Sequence, residues 1–273
     1  MPVTGVRNGG IFLLLVIVSA CERRTVETTT ASNPPGLSDQ QIASLASKKI
    51  FFGHRSVGNN IVQGMKDLIS EDPRLKINIV KSADPQSLSG PAFVEFEIGQ
   101  NGDPQSKNRA FGAILDKGMG AQGGVAMCKY CYVDIDSSTD VHAMFESYRQ
   151  AAQTLKAKYP ALKLVHITVP LTTVEPTVKA WAKRLLGKAT SQDSNVKRHR
   201  FNQLLKQTYA GADSIFDLAE VESTHRDGSR SFFMRGNERI YTLAPELTFD
   251  GGHLNEAGRR AAAGQMLLVL SQL

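Results

Sequence analysis

From Lys49 to the C-terminus, short apolar runs alternate with stretches of three- and four-residue apolar spacing, and this alternation restricts the chain to few architectures. Residues 49–52 form an apolar run ended by Gly53, and residues 60–69 then place Ile61, Met65, Leu68 and Ile69 on one helical face. Further runs fall at 75–80, 127–135, 162–169 and 214–218, and further helical patterns at 109–116, 141–159, 195–209 and 255–270. A helix after each strand covers both faces of a parallel sheet, so the spacing predicts a three-layer α/β/α domain. Residues 82–108, rich in Gly and Pro, read as one long loop, and loops of that length in compact domains usually carry function. The chain shows no internal repeat.

The first residues do not fit this scheme. The run 11–18 is too short to span a bilayer, follows Arg7 and precedes Ser19-Ala20, the pattern of a signal peptide over residues 1–20. Val18-Ser19-Ala20-Cys21 resembles a lipobox, which implies a lipid-acylated Cys21 as the first mature residue. Residues 21–38, with Asn33-Pro34-Pro35-Gly36, are too polar to bury and read as a flexible tether, leaving residues 39–273 as one folded domain. The expected location is the bacterial cell envelope, anchored to the membrane through Cys21. Glu22 after the cysteine points to the outer membrane, facing the periplasm.

A net charge of +6 favours anionic surroundings, but the cations are spread along the chain. The densest cluster, Lys197-Arg198-His199-Arg200, lacks interleaved aromatic residues and reads as a solvated helix face, so no nucleic-acid partner is expected. Cys128 and Cys131 form a C-x-x-C pair without a second ligand pair. In an apolar run that reads as a strand, their side chains point to opposite faces and pack.

In a parallel sheet, ligands bind beyond the carboxyl ends of the strands. The first such loop is Gly53-His54-Arg55-Ser56-Val57-Gly58, where a sharp bend would present the Ser56 hydroxyl at a helix N-terminus; a plain helix cap is the other reading. The last is Asp250-Gly251-Gly252-His253, which supplies an imidazole to take a serine proton and a carboxylate to orient that imidazole.

An early serine at a strand-to-helix turn and a late Asp-x-x-His before the final helix resemble the first and last motif blocks of the SGNH/GDSL hydrolases. The likeness spans most of residues 45–273 and takes in Asn202, Phe216-Asp217-Leu218 and Gly258. It implies a flavodoxin-like sheet, no metal or cofactor, and hydrolysis of an ester or acetyl ester through an acyl-enzyme, with Ser56, Asp250 and His253 as the triad. The implied substrate is an ester-bearing small molecule or a glycan. The chain departs from the pattern in two places. The first block reads Gly-His-Arg-Ser rather than Gly-Asp-Ser, and no Gly-x-Asn-Asp follows the third strand, where Asp134 and Asp136 stand instead. A carboxylate cannot donate to an oxyanion, so the Ser56 N–H, the Gly102 N–H and the Asn101 side chain are the candidate donors, with a plain turn at 101–104 as the alternative. His54 either touches substrate or packs, and His166 reads as a core histidine. A non-catalytic envelope protein that keeps the fold to bind a glycan or a partner is the rival that these departures support.

Overall fold

The computed structural model describes residues 1–2, 36–84, 88 and 90–273, so the signal-peptide and tether readings, with Cys21, lie outside the described residues. The sheet has six parallel strands: β1 (Lys49–His54), β2 (Ile79–Lys81), β3 (Ala92–Glu97), β4 (Gly124–Cys128), β5 (Leu162–Ile167) and β6 (Ser214–Phe216), in the order β2-β3-β1-β4-β5-β6. Helices α1 (Asp39–Ala46), α2 (Val57–Glu71), α3 (Pro104–Ile114), α4 (Val141–Lys158), α5 (Thr177–Leu185), α6 (Ser191–Tyr209), α7 (Leu218–Ser223) and α8 (Glu256–Ser271) complete three α/β/α layers, as the alternation predicts.

Both faces of β1 are buried, and its sequence shows why: Phe51 and Phe52 point to opposite sides and neither is exposed to solvent. Phe52 joins Ile61 and Met65 of α2 and Met266, Leu267 and Leu270 of α8 in one core. Phe51 joins Phe96, Phe111, Leu155 and Leu164 in the other. Each buried phenylalanine contributes about 1.5–3 kcal/mol of transfer free energy. Helices α2 and α8 approach closely because Gly64 has no side chain; a Cβ there would lie 2.2 Å from the Arg259 carbonyl oxygen.

From β1 the chain builds β2 and β3 on one side, then crosses to place β4 on the other. The sheet order therefore reverses beside β1, and the loop leaving β1 opens at the switch point where such sheets bind ligands.

The fold corrects several readings. Residues 92–97, assigned to the long loop, form the buried strand β3, paired with β1 from Lys49↔Ala92 to His54↔Glu97. Glu95 disguised it, since a carboxylate breaks an apolar run. In the fold Glu95 bonds His54 Nε2 at 3.0 Å. Strand β4 stops at Cys128, and a 3₁₀ turn at Tyr132–Asp134 follows, so Cys131 lies beyond the strand. Both cysteines are free, Cys131 buried and Cys128 half-buried.

Helix α6 starts at Ser191, four residues before the sequence reading, with Thr190 and Asp193 forming its capping box. Its basic cluster is not wholly solvated. Arg198 is buried, donating to the Tyr132 carbonyl, to Thr172 Oγ1 and to Asn195 Oδ1. Helix α5 and the hairpin β7 (Phe232–Arg235) and β8 (Glu238–Tyr241) are additions to the expected elements. His166 is a satisfied core histidine, bonded to Tyr148 and Asp213. Among the described residues no helix is long and apolar enough to cross a membrane.

Candidate active site

Ser56 follows β1 by two residues and opens α2 with φ 55° and ψ −113°; it is the one non-glycine residue with positive φ among the described residues. For a residue with a Cβ this conformation costs about 1–3 kcal/mol and persists only where the surroundings enforce it. Here β1 and the first turn of α2 enforce it, with Gly58 N–H donating to the Arg55 carbonyl and Asn59 N–H to that of Ser56. The Ser56 side chain makes no capping bond, which removes the cap reading. Its hydroxyl instead lies 2.7 Å from His253 Nε2, across 197 positions of sequence.

His253 is held by a loop that bonds to itself. Asp250 Oδ1 accepts from the N–H groups of Gly252 (2.9 Å) and His253 (2.7 Å), while Asp250 Oδ2 lies 2.6 Å from His253 Nδ1. Gly251 takes φ +89°, a conformation that glycine alone adopts without strain. Thr248 Oγ1 accepts from Gly251 N–H and donates to the His253 carbonyl at 2.6 Å. Asn255 then caps α8 through Gly258 N–H, and Leu254 N–H donates to Asn60 Oδ1, tying the loop to α2. The imidazole sits between Phe249, stacked at 6.0 Å, and Tyr132, edge-on at 5.6 Å. Partial burial works to raise the Asp250 pKa, but the His253 backbone N–H, the imidazole and the Gly252 N–H outweigh it and hold the carboxyl at about 2. Asp250 is thus an anion throughout the neutral range, as the partner of a developing imidazolium must be.

The other expected residues are placed differently. His54 is fully buried, stacked on Phe52 and bonded to Glu95, so the substrate-contact reading is wrong. Burial lowers its pKa against the opposing pull of Glu95. The Gly102 N–H is also unavailable to an oxyanion, because it donates to Asp134 Oδ1 at 2.7 Å.

Asp134 is buried and organises this wall of the site. It also accepts from Cys131 N–H at 2.6 Å and pairs with Lys107 Nζ at 2.5 Å, with neither side chain exposed. Lys107 donates in addition to Asn101 Oδ1 at 3.0 Å. An amide whose oxygen is taken by an ammonium turns its NH₂ group away from it, so Asn101 keeps a donor free of Lys107. The turn at 100–103 closes through Asp103 N–H to the Gln100 carbonyl, and Asp103 caps α3.

Sequence reasoning missed Lys107, Tyr132, Thr248 and Asn60. A lysine three residues after Pro104 gives no sign of burial, and Thr248 has meaning only once the loop is folded.

No protein-family model matches the chain, and no curated protein matches it. Solved structures do. A GDSL-like lipase from Bacteroides thetaiotaomicron superposes with TM-score 0.52 at 11% identity, over 85% of this chain and 94% of that one. A carbohydrate esterase of family 3 from Talaromyces cellulolyticus gives TM-score 0.46 at 14% identity, over 82% and 95%. The first likeness shows that the chain has the fold of the SGNH/GDSL hydrolases.

Proposed function

We propose that this chain is a serine hydrolase of ester or acetyl-ester bonds, with Ser56 as nucleophile, His253 as general base and acid, and Asp250 as its orienting carboxylate. The observation that carries this reading is the chain of short contacts from Ser56 Oγ through His253 to Asp250, beginning at a serine held in a strained bend. A serine hydroxyl is a weak nucleophile until a base receives its proton. In the proposed cycle His253 Nε2 takes that proton as Oγ attacks the carbonyl carbon, then delivers it to the leaving alcohol as the acyl-enzyme forms. A water repeats the sequence in reverse, giving its proton to His253 and its oxygen to the acyl group, which leaves as the acid.

The negative oxygen of each tetrahedral intermediate would meet the Ser56 N–H at the N-terminus of α2, where the helix dipole favours an anion. The Asn101 side chain is the third proposed donor. The engaged Gly102 N–H is the specific observation in favour of the rival, a fold kept for binding.

His253 and Asp250 are about one-third and two-fifths exposed, an open site that suits bulky esters such as acetylated envelope glycans or lipid esters. The lipobox-like Val18-Ser19-Ala20-Cys21 supports a lipid-anchored chain in the envelope, at the outer membrane facing the periplasm. A fluorophosphonate probe should label the wild type on Ser56, located by peptide mapping, and Ser56→Ala should lose both the label and turnover of a small acetyl ester. An unlabelled wild type that also fails to turn over the ester would favour the binding protein. Metabolic labelling with a fatty-acid analogue should tag the wild type and leave Cys21→Ser untagged; an untagged wild type would rule out the anchor.

A further inference from the structure

Helix α5 is oriented contrary to the usual rule for surface helices. At 100° per residue, Trp181, Leu185, Val178 and Ala182 share an arc of about 100°. A stripe of this kind ordinarily faces a core. Here Val178 is 79%, Trp181 64% and Leu185 71% exposed, while Ala180 on the opposite side packs inward. Leu186, 69% exposed, extends the stripe. The helix end is well formed, with Gly187 in the left-handed region and Lys188 N–H returning to the Lys183 carbonyl. The outward face is thus a property of a folded helix.

Two further observations say what covers this face. The segment from 174 to 188 carries Lys179, Lys183, Arg184 and Lys188 against the single acid Glu175, which pairs with Lys183. Aromatic and leucine residues on one face with lysines beside them are the composition of helices that lie in a lipid interface. Thr173, just before this segment, ties it to the candidate active site: its N–H donates to the Gly251 carbonyl at 2.9 Å, and Phe249, in the same loop as His253, is 70% exposed.

We propose that the exposed face of α5 docks the domain on an anionic lipid surface, burying Val178, Trp181, Leu185 and Leu186 among the acyl chains and setting Lys179 and Lys188 against the phosphates. The attachment is separate from any lipid on Cys21 and does not depend on the chemistry of Ser56. It brings the Asp250–His253 loop, through Thr173, close to the surface on which ester substrates would lie.

Trp181 is the one tryptophan of the chain, so its fluorescence reports on this face alone. The full chain carrying Cys21→Ser, which has no site for the lipid, is mixed with vesicles of equimolar phosphatidylglycerol and phosphatidylcholine, or of phosphatidylcholine only. With the anionic vesicles Trp181 emission should move to shorter wavelength and become protected from an aqueous quencher. Leu185→Glu, at an exposed position, should abolish the shift, and Lys179→Ala and Lys188→Ala should each weaken partitioning about fivefold. Emission unchanged while the chain sediments with vesicles would overturn the proposal, because another segment would then be the anchor. An equal shift on both vesicle types would overturn the anionic preference. A shift that grows with protein concentration without lipid would overturn it in favour of a second copy of the chain.

Discussion

Ser56 carries two opposed demands: a nucleophilic oxygen, which glycine lacks, and a backbone bend suited to glycine. The bend should therefore cost stability, and the cost can be separated from the chemistry. Ser56→Ala removes the hydroxyl but keeps the strain, whereas Ser56→Gly removes both. The glycine variant should be inactive yet more stable than the alanine variant by up to about 1 kcal/mol, a Tm rise of roughly 2–4 °C at this chain length. Calorimetry that found the glycine variant the less stable would show that the bend is unstrained. At this scale the legibility of the sequence followed distance along the chain. Asp250 and His253 stand three residues apart, and a Gly-bearing turn before a helix suffices to read them as a pair. Ser56 could be read only as a cap or a nucleophile, because the contact that decides lies 197 positions away. Gly102 was misread, and His54 left open between substrate and packing, for a related reason: Asp134 and Glu95, which occupy them, come from other elements.

Elements were legible where one period dominated. The central strand β1 and the helices α2, α4 and α8 follow from apolar spacing alone, whereas β3 was lost because its Glu95 is balanced by a partner on β1. Strand β3 directs the loop at 99–103 toward the site, and the buried Lys107–Asp134 pair fixes that loop to the turn after β4. Breaking a buried pair leaves a charge without compensation, so Lys107→Met should destabilise the fold by about 3–5 kcal/mol in denaturant unfolding. A cost below about 1 kcal/mol would mean that the pair does not hold the loop. Asn101, exposed at the tip, can be changed without that penalty. If it donates to the oxyanion, Asn101→Ala should lower kcat about a hundredfold and leave KM nearly unchanged, because the donor acts on charge that develops only in the transition state. A raised KM with normal kcat would instead make Asn101 a substrate-binding group.

Across the whole molecule, buried charge links stability to pH. Glu222 of α7 has almost no exposure, and its Oε2 accepts from Leu171 N–H at 2.6 Å, in the segment that leads toward Thr173 and α5. Burial raises its pKa from 4.5 to about 8, against the opposing effects of the Leu171 N–H, Lys129 and Arg198. Between those two values the folded chain keeps a proton that the unfolded chain has released. Folding then binds protons, and by linkage stability falls as pH rises through this window. Lys129, also buried, has its pKa lowered chiefly by burial, so its contribution runs the other way: the unfolded chain holds the extra proton and stability rises with pH. Wild-type Tm alone therefore does not isolate the contribution of Glu222. The difference does. Glu222→Gln keeps an acceptor for Leu171 N–H and removes the titration, so the stability of wild type minus that of Glu222→Gln should fall steadily from pH 4.5 to 8. Chemical denaturation of both proteins at matched pH measures it. A difference that stays flat across the window would mean that Glu222 is ionised in the folded protein, with Arg198 and Lys129 holding its charge.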